Sequence, residues 1–140
     1  MKWPYAEADP VAREEIERRL AATARRRGLI TYTDLMRGLT LRLPNVGQGQ
    51  PLQLGVPEWS DLHSAILRDF LNRVSCDSYL RGGILASAVA VRKLTGEPGD
   101  GFKWLVDYLG LDAPSRHDAF VVFWSKHVEK VYDWYVTNPA

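Results

Sequence analysis

Between Trp59 and Val74 the apolar residues fall on one helical face: Trp59, Leu62, Ile66, Phe70 and Val74, with Leu67 and Leu71 widening the stripe and Asp61, Arg68, Asn72 and Arg73 opposite. Repeats of three and four residues mark an amphipathic helix, here predicted to end near Cys76. The next apolar run has another form. From Ile84 to Val91, Ala86, Ala88 and Ala90 alternate with the larger Leu85, Val89 and Val91, which predicts a strand buried on both faces. Arg81 to Gly83 turns into it, and a charged, glycine-rich loop, Arg92 to Gly101, follows.

Upstream, Asp9 before Pro10 reads as a capped helix start, and Ile16, Leu20 and Ala24 define the buried face of the helix that follows. Arg25, Arg26 and Arg27 suit its last turn and Gly28 its end. Leu29 to Thr31 is a short strand, after which Thr31 or Thr33 caps a brief helix reaching Gly38. Six prolines and glycines between Thr40 and Pro57 predict a long loop, with Leu39 to Leu43 as an edge strand before it. Downstream, Asp100 is placed to cap a helix carrying Phe102, Leu105, Val106 and Leu109. Ser115 with Asp118 resembles a capping box for a last, ring-rich helix. The pattern defines an α+β fold, predominantly helical, with five helices and a small sheet.

The chain has 140 residues, which suits one globular domain over 1–140 that buries roughly two-thirds of its unfolded surface. Its formal charge of +1 excludes an overall basic field, so any basic surface is local. The lone Cys76 excludes an internal disulfide and a thiolate zinc cluster, and agrees with a cytoplasmic location. No segment has the uninterrupted apolar length of a membrane span, and the start lacks the pattern of an export signal, so no membrane is expected.

Candidate chemistry is sparse. His63, His117 and His127 share no metal-ligand spacing, Cys76 has no signature pairing it with a base, and Ser87 lacks a nucleophile-elbow context. In the Arg92 to Gly101 loop the lysine precedes the glycines, and Glu97 and Asp100 oppose an anion, so the loop reads first as a tight turn. No catalytic, cofactor-binding or metal-binding residue is assigned, and a small enzyme ranks below a binding role. The candidate nucleic-acid contacts are Arg25, Arg26, Arg27, Arg68, Arg73, Arg92 and Lys93. The alternative is a protein-interaction or oligomerisation module, with Phe123, Trp124, Tyr132, Trp134 and Tyr135 of the last helix as its interface.

The run GLITYTDLMRGL, Gly28 to Leu39, resembles the opening of the winged-helix domain of alkylguanine-DNA alkyltransferases and alkyltransferase-like proteins. The order of a later helix, a strand and a glycine-containing turn is also similar. The resemblance implies a winged-helix-like core, to which the pattern adds two C-terminal helices, and contact with DNA; a DNA-binding reading then sets the helix bearing Arg68 and Arg73 toward the groove, the Arg92 to Gly101 loop as a wing and Arg25 to Arg27 on phosphates. It implies no alkyl transfer, because the Pro-Cys-His-Arg motif is absent and Cys76 lies in Ser-Cys-Asp. ITYTDL, SAVAVRKLTGEPGDGF and FWSKHVEKVYDWY together resemble a group of small uncharacterised bacterial proteins, a likeness that carries no activity.

Overall fold

The computed structural model describes residues 2–138. Asp9 organises its first layer, standing between α1 (Pro4–Ala8) and α2 (Pro10–Arg25). Its Oδ1 accepts the Ala12 N–H at 3.1 Å and so caps α2, while Oδ2 accepts the Arg42 N–H at 2.7 Å. The short α1 is too brief for periodicity to reveal. It is held by Asp69 of the central helix, which accepts the Ala6 N–H at 2.8 Å. Ile16, Leu20 and Ala24 of α2 are fully buried, as the spacing predicts. The left-handed turn after α2 falls on Arg27, with φ of 53°, and not on Gly28.

Two short strands, β1 (Ile30–Thr31) and β2 (Ala90–Val91), pair in parallel with Ile30 opposite Ala90 and Thr31 opposite Val91. Thr31 then caps α3 (Tyr32–Met36) by accepting the Asp34 N–H at 3.2 Å. The expected strand from Ile84 to Val91 is corrected. Ala86–Val89 is a 3₁₀ turn, and only Ala90–Val91 is extended into the sheet. Side chains from two helices stand where a neighbouring strand would. Ser78 Oγ accepts the Ala86 N–H at 3.0 Å and donates to the Ile84 carbonyl at 2.8 Å. His127 Nε2 accepts the Leu85 N–H at 2.8 Å, and Trp124 Nε1 donates to the Ala88 carbonyl at 2.8 Å. Buried backbone needs such partners, whatever element it adopts.

The central helix α4 (Asp61–Gly82) opens on Ser60, whose side chain accepts the His63 N–H at 3.1 Å, and closes on the left-handed Gly83. It runs past Cys76, correcting the expected end, because Ser75 and Ser78 continue the buried face as hydrogen-bonding residues. Ile66, Phe70 and Val74 are buried as predicted, whereas Leu62 is exposed. Asn72, expected on the polar side, is instead buried at 3% exposure.

The stretch 40–57 is a folded excursion. Leu41 and Leu52 exchange both backbone hydrogen bonds, at 2.7 and 3.0 Å, and Leu41, Leu43 and Leu54 are buried. The expected edge strand from Leu39 to Leu43 reduces to this one bridge. Two C-terminal helices follow, α5 (Asp100–Tyr108) and α6 (His117–Thr137). Gly99 stands at the cap of α5 with Asp100 as its first helical residue, and Arg116 precedes α6 without a side-chain cap. Neither the Asp100 cap nor the Ser115 box forms. The fold is α+β and mostly helical, with a two-stranded sheet, and among the described residues no helix is long and apolar enough to cross a membrane.

Candidate binding pocket

The pairing of β1 with β2 brings α3 to the start of α5, where Tyr32 meets Gly99, and α4 packs against α5. A cavity of about 550 Å³ lies between them, with Leu67, Leu71, Asn72, Ser87 and Phe102 among its lining and Trp59 and Tyr32 on its sides. Leu67, Leu71 and Phe102 are buried core residues, so the cavity reaches into the apolar interior. Tyr32 joins the two halves: its hydroxyl accepts the Gly99 N–H at 2.7 Å. Burial pushes the phenol above its ordinary pKa, against the opposing pull of the Gly99 N–H and the nearby Arg92. It is therefore a neutral hydroxyl at physiological pH.

Three cations border this cavity: Arg68 from α4, and Arg92 and Lys93 from the loop after β2. Arg68 lies over the first turn of α5, where a Cβ on Gly101 would stand 3.0 Å from the arginine Cγ. A Cβ on Gly99 would stand 3.3 Å from the Tyr32 hydroxyl and 3.4 Å from Arg92 Nε. The glycines thus let Arg68, Arg92 and Tyr32 close around the positive end of α5. Arg92 shares its charge with Asp100, 3.4 Å away, while Arg68 and Lys93 form no salt bridge among the described residues.

The other sequence candidates lie elsewhere. Arg25 packs over the Tyr135 ring at 5.8 Å, Arg26 donates to Thr23 Oγ1 at 3.2 Å, and Arg27 pairs with Asp133 at 3.0 Å and Glu129 at 3.5 Å. Arg73 pairs with Glu7 and Asp77, each at 3.2 Å. Of the seven candidate cations the structure brings together Arg68, Arg92 and Lys93. On α6, Trp124, Tyr132 and Tyr135 are buried and Phe123 and Trp134 are partly buried. Trp104 and Tyr108 of α5, each a little under half exposed, stack at 5.0 Å.

The histidines have structural partners. His63 Nδ1 accepts the Gly55 N–H at 3.0 Å, His117 Nε2 lies 3.2 Å from Glu97, and His127 holds Leu85. Burial, reinforced by Asp77, raises the Cys76 thiol above its ordinary pKa, which disfavours the reactive thiolate. No group of three or more His, Cys, Asp and Glu side chains is placed to hold a metal among the described residues.

Tyr32, Trp59 and Asn72 are pocket residues that the sequence reading missed as site residues, and Ser87 was weighed only as a nucleophile. The sequence carried no signal for Asn72, which lies opposite the apolar stripe of its helix and is buried only by the segments that pack on that side. Compared with known proteins, the chain matches no family model, no curated protein and no solved structure.

Proposed function

We propose that the chain is a non-enzymatic binding or regulatory domain that captures an anionic ligand in the pocket at the start of α5. The observation carrying this reading is that Arg68 and Arg92 flank the α5 N-terminus while Lys93 lines the same cavity, whose interior is apolar. Unpaired N–H groups and the positive helix end favour an anion there, and the flanking cations add to that attraction. Amide, hydroxyl and cationic groups line the cavity together with the one carboxylate of Asp100, which Arg92 offsets, a set suited to holding a ligand.

The test is calorimetric titration of inorganic phosphate at low salt into the protein and into the Arg68→Gln/Lys93→Gln variant. The variant should bind at least about tenfold more weakly, since two charge-assisted contacts are removed. Equal affinity would reject the reading.

A winged-helix-like DNA-binding domain is the second reading, with α4 facing the groove. It is favoured by the tight turn after β2, where the Arg92 N–H donates to the Glu97 carbonyl at 2.8 Å and Lys93 and Leu94 project outward. Duplex binding whose salt dependence flattens in the same double variant supports it, because each lost phosphate contact lowers that slope.

A further inference from the structure

We infer that the ligand of this pocket is a free mononucleotide, with a neutral heteroaromatic base against the floor and a single phosphate at the mouth. The inference rests on the anion-binding reading above and names the ligand class of that same site.

Asn72 carries the argument for the base. It is 3% exposed, lines the cavity, and its side-chain amide makes no hydrogen bond to any described residue. Among the described residues this amide is not one of the fully enclosed polar groups without partners, so it opens on the cavity, where a bound group can pair with it. The amide offers a donor and an acceptor side by side in one plane, which matches the paired edge of a nucleobase. A carboxylate head fits less well, since it would meet the amide oxygen with another acceptor.

Ser87 adds a second polar group. Ser75 Oγ accepts the Ser87 N–H at 2.9 Å and donates its own proton to Ser87 Oγ at 2.6 Å. The Ser87 proton is then left for the cavity, which this 4%-exposed residue lines. Around these two residues the apolar sides of Leu67, Leu71 and Phe102 and the Trp59 ring suit a flat ring system. The volume is that of a small-ligand site.

The charge distribution points to one phosphate and not to a strand. The cations line one cavity, with Arg68 and Arg92 at the α5 start and the Tyr32 hydroxyl free to donate there once it has accepted the Gly99 N–H. Elsewhere Arg27 and Arg73 are committed to carboxylates, and Asp100, 3.4 Å from Arg92 at the same helix start, limits the negative charge the site accepts.

The experiment is calorimetry on the full chain with the common ribonucleoside 5′-monophosphates, ribose 5-phosphate, and a short single-stranded oligonucleotide, repeated on Asn72→Leu. At least one mononucleotide should bind about tenfold or more tightly than ribose 5-phosphate, the equivalent of about 1.4 kcal/mol. Asn72→Leu should erase that difference while leaving ribose 5-phosphate affinity unchanged. If Asn72→Leu does not fold, Ser87→Ala is compared instead, together with the shift of the wild-type Asn72 side-chain amide signals on nucleotide addition. Equal binding of ribose 5-phosphate and every mononucleotide would overturn the base assignment and leave anion capture standing. Tighter binding of the oligonucleotide per phosphate would overturn the free-nucleotide assignment. Failure of all of these ligands and of inorganic phosphate to bind would overturn both readings.

Discussion

The backbone N–H of Leu85 donates to Nε2 of His127 at 2.8 Å, joining the segment before β2 to the middle of α6. An accepting Nε2 requires the neutral ring with its proton on Nδ1. Burial, with a contribution from Lys130, lowers the His127 pKa from 6.5 to about 4. Between those values the unfolded chain takes up a proton that the folded chain refuses, so stability is full above pH 6.5 and falls as the pH drops toward 4. The span corresponds to about 3 kcal/mol. Urea melts at neutral pH and near the lower end should show this loss, and His127→Gln, which keeps an acceptor and cannot titrate, should flatten it. A wild-type midpoint independent of pH across the window would reject the assignment.

Gly82 sets two effects against each other. Alanine is favoured over glycine in a helix by at most about 1 kcal/mol, and Gly82 is the last residue of α4, where the gain is smaller. Here, however, an added Cβ would collide with the Trp134 indole, which packs directly on the glycine. Overpacking costs about 1–3 kcal/mol, so Gly82→Ala should lower the melting temperature. Combining it with Trp134→Leu should recover part of that loss, which a double-mutant cycle measures.

Neutralising Arg25, Arg26 and Arg27 together should leave phosphate binding at the pocket unchanged, because they lie on α2 and the turn after it, packed toward α6. The Arg27 pairs are exposed, and such pairs contribute about 1 kcal/mol or less. Titration of phosphate into the triple glutamine variant checks this, and a fall in affinity like that of the Arg68/Lys93 variant would move the anion site.

Cys76 should react slowly with iodoacetamide at neutral pH, since its thiol is pushed above the ordinary value by burial. Cys76→Ser should retain phosphate affinity. Alkylation as fast as that of a free thiol in solution, followed by mass spectrometry, would contradict the shielding of this half-buried thiol.

Much of the helical framework was legible because Ile16, Leu20, Ile66, Phe70 and Val74 repeat at helical spacing and face one core. The Asp9–Pro10 start was also readable, being a local signal, whereas the second bond from Asp9 to the Arg42 N–H was not. Ile84 to Val91 misled for a physical reason: when every side chain is buried, alternation cannot distinguish a strand from a 3₁₀ turn whose backbone is satisfied by Ser78, His127 and Trp124. Half of the pocket was visible as charge, in Arg68, Arg92 and Lys93. The other half, Asn72 and Ser87, looked ordinary because its meaning depends on what stays unpaired after distant segments meet.

The ladder between β1 and β2 has only two residue pairs, yet it draws Ile30 to Ala90. Closing so long a chain segment costs entropy before any contact is gained, and the cavity walls contributed by Tyr32, Asn72 and Gly99 converge only after that closure. An occupant that recognises the assembled walls and ignores the open chain would therefore act as a fastener, adding about 2.7 kcal/mol at a hundred times its dissociation constant. In a cell with active proteolysis, the supply of that occupant would set how many copies of the protein survive.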